Sequence, residues 1–296
     1  MPLPSPDKSN AATGAPAGGG AVCAAGGGGG GRDLAGGANA AVLLAGGSGN
    51  RMRGAVRDKC LEPLAGGPCA LARCVVAFAE SGVVSRLVIV CRDAAQRGEI
   101  AKLLATLPAP VAALEVTYAA GGAERQFSVL NGLDACPAGT ALVFIHDTAR
   151  PLITPEVLRE LARAAGTAGA AVLAHRVKDT IKRVPVAAAG SAAAGATAGA
   201  AAGGAAQLLE DLDRSLLWAM ETPQVFRHAL ILDAMRRAAA EGARVTDDVA
   251  AAVRAGHPVA LVENFLPNPK ITDPADLRLI EFLTATPVPA RPARQR

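Results

Sequence analysis

Short apolar runs alternate with longer stretches in which apolar positions recur every three or four residues, from residue 40 almost to the end of the chain. The short runs, rich in Val, Ile and Leu, predict strands over 41–45, 87–91, 114–118, 141–145, 170–174 and 259–262. The longer periodic stretches predict helices over 70–80, 94–106, 123–133, 155–165, 227–241, 246–255 and 274–283. Thr154-Pro155, Thr246-Asp247-Asp248 and Asp273-Pro274 place an acceptor or a proline where helix starts favour them. Strands that alternate with helices in this way imply repeated βαβ units and an α/β fold: Rossmann-like, with a mostly parallel sheet and helices on both faces.

Three stretches break the rhythm. Residues 185–206 are almost wholly Ala, Gly, Ser and Thr with no periodic apolar face, and read as a flexible insertion. They lie between VKDTIKRV and LLEDLDRSLLWAMETPQVF, which read as paired extended strands leaving and rejoining the main domain. The expectation is a protruding β-arm over about 176–222 whose tip carries the insertion. Residues 1–39, Gly/Ala-rich, bury too little apolar surface to offset ordering entropy and are expected to be a disordered extension, as is the Pro/Arg-rich tail 287–296. The domain proper is thus expected over 40–286.

Composition changes this picture only in places. Aromatics are 3% of the chain, so the core must be built from Val, Leu, Ile and Ala. No apolar run approaches the roughly 18 residues that span a bilayer, and the N-terminus lacks a signal peptide's charged start and apolar stretch. A soluble, cytoplasmic protein with no membrane partner is expected; a plastid transit peptide would be richer in Arg and Ser. The net charge of +4 comes from dispersed basic residues, which argues against nucleic acid as a partner. Six cysteines without a C-x-x-C pair read as free thiols in a reducing compartment.

The chemistry concentrates after the first strand, which runs into Ala45-Gly46-Gly47-Ser48-Gly49-Asn50-Arg51-Met52. A glycine-rich turn at a strand's carboxyl end lets backbone N–H groups approach phosphate oxygens. The third glycine of a dinucleotide fingerprint is missing, and no Gly-Lys-Ser/Thr of a Walker A loop follows. Arg51 and Lys59 add two positive charges beside the turn. Each alone would pass for a solvated surface charge; together they fit phosphoryl or nucleotidyl transfer, in which preorganised cations stabilise charge redistributed at phosphorus.

LLAGGSGNRM followed by a lysine resembles the opening of the sugar and polyol-phosphate nucleotidyltransferases. The resemblance continues through Gly121-Gly122-Ala123-Glu124-Arg125-Gln126-Phe127-Ser128-Val129 (their GGxxRxxSV), His146-Asp147-Thr148-Ala149-Arg150-Pro151 (HDxARP), Thr222-Pro223-Gln224 (TPQ) and Asn268-Pro269-Lys270-Ile271-Thr272. Val177-Lys178-Asp179-Thr180-Ile181-Lys182 resembles the DTIK segment of the 2-C-methyl-D-erythritol 4-phosphate cytidylyltransferase family. These motifs cover residues 41 to about 285 in the family's order.

The resemblance implies a CTP-dependent enzyme that uses Mg2+, joins CMP to methylerythritol phosphate in the non-mevalonate isoprenoid pathway, and dimerises through its arm. Arg51 and Lys59 are then expected to grip the triphosphate, with the nucleotide cradled by Ala45, Gly46, Gly47, Ser48 and Gly49. Ser128 and the turn Gly122, Ala123, Glu124, Arg125 are expected to read the cytosine edge, and Asp147 to face the ribose or hold the metal. Arg214 and Lys270 would orient the polyol phosphate, with Arg150, Thr180 and Thr222 contacting it. Arg150, Thr180, Arg214 or Thr222 could serve the neighbouring subunit's site. Ala45-Gly46-Gly47 departs from the methylerythritol enzymes, which more often carry a second alanine, and matches related ribitol-phosphate cytidylyltransferases. Two alternatives follow: a polyol-phosphate cytidylyltransferase supplying cell-wall polymers, and a non-catalytic nucleotide-binding domain of the same fold.

Overall fold

In the computed structural model the chain is described at residues 38–47, 57–184 and 209–285. Expectations for residues 1–37, the insertion 185–206 and the tail 287–296 fall outside the described residues, as do Ser48, Gly49 and Arg51. The strands are β1 (Ala40–Leu44), β2 (Arg86–Cys91), β3 (Glu115–Ala120), β4 (Leu142–Asp147), β5 (Ala170–Arg176), β6 (Lys182–Arg183), β7 (Glu210–Asp211), β8 (Trp218–Arg227) and β9 (Ala260–Glu263). Seven form one sheet in the order β3-β2-β1-β4-β8-β5-β9. All of its pairings are parallel except those of β8, which runs antiparallel between β4 and β5.

The helices are α1 (Ala70–Ser81), α2 (Ala94–Leu104), α3 (Ala109–Ala112), α4 (Arg125–Asp134), α5 (Pro155–Ala168), α6 (His228–Ala240), α7 (Asp248–Arg254) and α8 (Pro274–Ala285). Side chains alternate across a strand, and the core divides accordingly. Ala41 and Leu43 of β1 join a cluster with Leu71, Val75 and Phe78 of α1 and Leu158 and Leu161 of α5. Ala40 and Val42 join the opposite cluster with Val129 and Leu133 of α4, Ile231 and Met235 of α6 and Ala252 of α7. The expected caps form: the Thr154 hydroxyl accepts from Val157 N–H, and the Asp247 carboxylate accepts from Ala250 N–H. Both leave one fewer orphan donor at a helix start.

The arm is smaller than expected. The sequence puts its returning limb outside the main domain through residue 222, yet Trp218–Arg227 is a ten-residue strand in the middle of the sheet. Glu221, Thr222 and Gln224 interrupt the apolar signal, but all three are buried and hydrogen-bonded. Between Val172 and Ala174 the β5–β8 register slips, so the partner of Val172 is Gln224 and that of Ala174 is Met220. This bulge takes Glu221 to Pro223 out of the regular ladder and re-aims them. What remains of the arm, among the described residues, is β6 paired with β7 over two residues, with exposed ion pairs Lys182–Asp211 and Arg183–Glu210. At the other boundary, Asn39 belongs to the domain and not to the extension. Its amide donates to Val83 O and accepts from Leu142 N–H, joining the entries of β2 and β4.

Candidate active site

A cleft of about 630 Å³ opens at the carboxyl ends of β1, β2 and β4, where open α/β sheets place ligands. Gly46 and Gly47 line it where β1 ends. A Cβ on Gly46 would lie 3.0 Å from the backbone nitrogen of Arg92 and 3.1 Å from the carbonyl carbon of Cys91, so only glycine lets this turn pack against the exit of β2. Lys59 and Cys60 form part of the wall, and Lys59 Nζ donates to Ile271 O at 2.9 Å. Lys270 and Thr272 flank that residue on the same wall. Ile271 itself is fully buried beside Ile280 of α8, and its N–H donates to Ala149 O at 2.8 Å. The packing of α8 thereby fixes the segment that presents Lys270.

Asp147, the last residue of β4, is the electrostatic centre. Its Oδ1 accepts from Arg125 Nε at 3.2 Å and its Oδ2 from Lys270 Nζ at 2.5 Å. Burial alone would raise its pKa; Arg125 and Lys270 outweigh burial and hold the carboxyl well below its usual range. Arg125 turns its two terminal nitrogens to the buried Asp248 carboxylate, at 3.0 and 2.9 Å. Burial pushes the Asp248 carboxyl up, against the downward pull of the Arg125 charge and its hydrogen bonds. Asp248 lies at the start of α7, with its backbone N–H on Gln224 Oε1.

Behind Asp147 runs a second chain of bonds. The backbone N–H of Asp147 donates to Thr222 Oγ1 at 3.1 Å, and Thr222 Oγ1 is 3.0 Å from His146 Nδ1. His146 Nε2 is 3.1 Å from Arg150 O. A carbonyl only accepts, so Nε2 carries the proton, Nδ1 accepts, and the threonine hydroxyl donates to it. Burial lowers the pKa of His146 to about 4 against an opposing pull from Asp147, which keeps the ring neutral.

The opposite wall is the turn before α4. Ser128 Oγ accepts from Gly122 N–H at 2.9 Å and donates to Glu124 O at 3.2 Å. A Cβ on Gly122 would sit 2.4 Å from that of Phe127. Glycine and serine thus close the turn that presents Gly122, Ala123 and Glu124 to the cleft.

The structure sorts the expected residues. Ala45, Gly46, Gly47, Lys59, Gly122, Ala123, Glu124, Arg125, Ser128, Asp147 and Lys270 come together, all but Ala45 lining the cleft; Ala45, buried just behind it, hydrogen-bonds β2 through Val90 O. Two placements differ from the expectation. The Arg125 guanidinium is committed to Asp147 and Asp248. Thr222, expected to touch substrate, is buried behind Asp147, where its hydroxyl accepts from the Asp147 backbone N–H. Arg150 turns away onto Asn268 O at 2.7 Å and lines a second cavity of about 610 Å³ with Lys178, Glu221 and Asn268. Thr180 is exposed, and Arg214, also exposed, lies on a single 3-10 turn with Nη1 on Lys178 O, so one copy of the chain brings neither to the cleft. The sequence motifs pass over Arg92, a cleft-lining cation, and Asp248. Arg92 follows the carboxyl end of β2, so the strand-end rule that picks out Gly46 and Asp147 also reaches it. Asp248 reads in the sequence as a helix cap and gives no further signal.

A Rossmann-like sheet with a glycine turn, two lysines and a strand-end aspartate around the cleft at its carboxyl edge defines a nucleotidyltransferase-type domain. Residues 39–286 match the family profile of IspD, 2-C-methyl-D-erythritol 4-phosphate cytidylyltransferase. The 2-C-methyl-D-erythritol 4-phosphate cytidylyltransferase of Geobacillus kaustophilus is 38% identical over 244 residues, covering 82% of this chain and 95% of that protein. The crystal structure of the protein of that name from Thermus thermophilus aligns with a TM-score of 0.60 at 27% identity, over 84% of this chain and 100% of that one. The 4-diphosphocytidyl-2C-methyl-D-erythritol synthase of Anaerococcus prevotii has the same fold, with a TM-score of 0.68 at 22% identity over 83% and 96% of the two chains. The chain belongs to the 2-C-methyl-D-erythritol 4-phosphate cytidylyltransferase family.

Proposed function

We propose that the protein transfers CMP from CTP to 2-C-methyl-D-erythritol 4-phosphate, giving 4-diphosphocytidyl-2-C-methyl-D-erythritol and pyrophosphate. The observation that carries this reading is the cleft that gathers Gly46, Gly47, Lys59, Asp147 and Lys270 within one family-matched chain. A phosphate oxygen of the acceptor attacks the α-phosphorus of CTP, a new P–O bond forms, and the bond to the pyrophosphate oxygen breaks. No proton need move, because both the attacking and the leaving groups are phosphate oxygens. Lys59, with Arg51, meets the charge that builds on the non-bridging oxygens and the leaving pyrophosphate. Lys270, already on Asp147, orients the acceptor, and the work of the site is largely alignment.

Magnesium fits this site. No cluster of three or more His, Cys, Asp or Glu exists among the described residues. A hard cation held by one carboxylate and by substrate phosphates needs none, and each Asp147 oxygen keeps acceptor capacity beyond its bond to Arg125 or Lys270. Asp147 would hold the ion, which when bound neutralises phosphate oxygens.

Thr180, Arg214 and the cavity beside Arg150 support a homodimer in which the arm of one copy reaches the acceptor side of the other. No helix among the described residues is long and apolar enough to cross a membrane, and soluble phosphorylated substrates go with a cytoplasmic location.

The test is pyrophosphate release from CTP and magnesium with methylerythritol 4-phosphate or ribitol 5-phosphate. Preference for the first supports the proposal. Preference for ribitol phosphate would keep the fold and transfer the protein to the cell-wall reading that Ala45-Gly46-Gly47 allows.

A further inference from the structure

Beneath the cleft lies a buried glutamine that the reaction as described does not use. Gln96 is on the first turn of α2 and is 1% exposed. Its Nε2 donates to Ala45 O at 3.0 Å and to Asp58 Oδ2 at 2.6 Å, while its Oε1 accepts from Arg92 N–H at 2.7 Å. The orientation of the amide is fixed, since Ala45 O can only accept and Arg92 N–H can only donate. Three separate segments that line the cleft are therefore tied to one carboxamide: the exit of β1, the exit of β2 and the loop before Lys59.

Asp58 completes the tie. Its Oδ1 accepts from Cys60 N–H at 2.9 Å, so the carboxylate brackets Lys59 from the residue before it to the residue after it. Arg92 Nη1 reaches Asp58 Oδ2 at 3.4 Å. Lys59 itself extends to Ile271 O. Lys59 is thus held at its backbone by Gln96 through Asp58, and at its ammonium tip by the segment that carries Lys270.

We propose that Gln96 is a positioning residue for the transfer reaction: through Asp58 it sets the distance between the Ala45-Gly46 turn and Lys59, and so presents the lysine where charge develops. The inference rests on the nucleotidyl-transfer reading of the cleft. A cation displaced by about 1 Å from a developing charge forfeits much of its effect, on the order of a hundredfold. An orphaned buried amide or carbonyl would also loosen the loop.

The test is a double-mutant cycle on the full chain with Gln96→Leu and Lys59→Ala, reading kcat and both KM values, with thiol labelling of Cys60 mapped by mass spectrometry. Cys60 is 3% exposed and follows Lys59 with its N–H on Asp58, so its labelling rate reports opening of this loop independently of turnover. Expected are a kcat lower by about 10- to 100-fold in Gln96→Leu, a polyol-phosphate KM within about twofold of wild type, and faster Cys60 labelling. Gln96→Leu should add no further loss in the Lys59→Ala background, because a residue acting through Lys59 has nothing left to position. The same fold-loss in both backgrounds, or an unchanged kcat with unchanged labelling, overturns the proposal. Should Gln96→Leu fail to fold, Gln96→Glu keeps the shape and the acceptor for Arg92 while removing both donors, and the same cycle is read on it. Wild-type protein without turnover would sink the transfer reading; Cys60 labelling would still decide whether Gln96 holds the loop.

Discussion

The two lysines of the cleft have different neighbours, and their loss should be felt differently. Lys59 Nζ is steadied by a backbone carbonyl, Ile271 O, on the wall of the cleft, a contact that fixes its place beside the glycine turn where a triphosphate would lie. Lys59→Ala is expected to lower kcat by roughly 10²- to 10³-fold with little change in unfolding midpoint; a wild-type turnover number would remove Lys59 from the mechanism. Lys270 shares Asp147 with Arg125, and Lys270→Ala should raise KM for the polyol phosphate about tenfold while the KM for CTP moves less. Equal damage to both KM values would contradict that division. Both lysines are legible in the sequence because they stand in motifs with backbone turns around them. Gln96 is not, since a buried polar side chain on a capped first turn carries the same hydropathy as a solvated one, and only the fold reveals that Ala45, Asp58 and Arg92 converge on it.

At the scale of elements, glycine chemistry separates positions that look alike in the sequence. Gly132 lies in α4 where the helix crosses the sheet, and an added Cβ would sit 2.4 Å from Val42 Cγ1 and 3.1 Å from Val90 Cγ2. Both valines are β-branched and buried in central strands, with little freedom to give way. Gly132→Ala should destabilise by about 1–3 kcal/mol through overpacking. At Gly98 in α2 an added Cβ would meet nothing within 4 Å, and Gly98→Ala should stabilise by roughly 0.5–1 kcal/mol through helix propensity and a less flexible unfolded chain. Urea unfolding of the two variants should move in opposite directions; shifts of the same sign would refute the assigned seating of α4. The periodicity discloses both helices and six of the seven strands of the sheet. It does not place β8 in the sheet, and the stretch reads as a limb of the arm, because Glu221, Thr222 and Gln224 turn polar groups inward to bond Asn264, His146 and Asp248, and a strand with a polar buried face has no apolar signature.

Across the whole molecule, His146 joins α1, β4 and β8: its ring meets Thr222 and Arg150 O, with Cys74 Sγ at 3.5 Å. Burial lowers its pKa from 6.5 to about 4, so between those values the unfolded chain binds a proton that the folded chain does not. Wherever the unfolded state binds more protons, stability falls as pH drops. His146 therefore contributes fully above pH about 6.5 and withdraws about 3 kcal/mol on the way down to pH about 4. Asp147 follows lower on the scale, because against the upward push of burial Arg125 and Lys270 hold its carboxyl below the ordinary range; its contribution is present above the unfolded carboxylate pKa of 3.8 and is lost below it. Wild-type urea midpoints measured from pH 7.5 to pH 2.5 should decline first through the histidine window and then through the carboxylate window. His146→Asn, which keeps a polar group near Thr222 but has no titrating ring, should flatten the decline between pH 6.5 and pH 4 while leaving the fall below it. If the variant keeps the wild-type slope through that window, the acid sensitivity of the fold arises elsewhere, and the neutral His146 that supports Thr222 and, through it, Asp147 is not what limits the molecule's stability in acid.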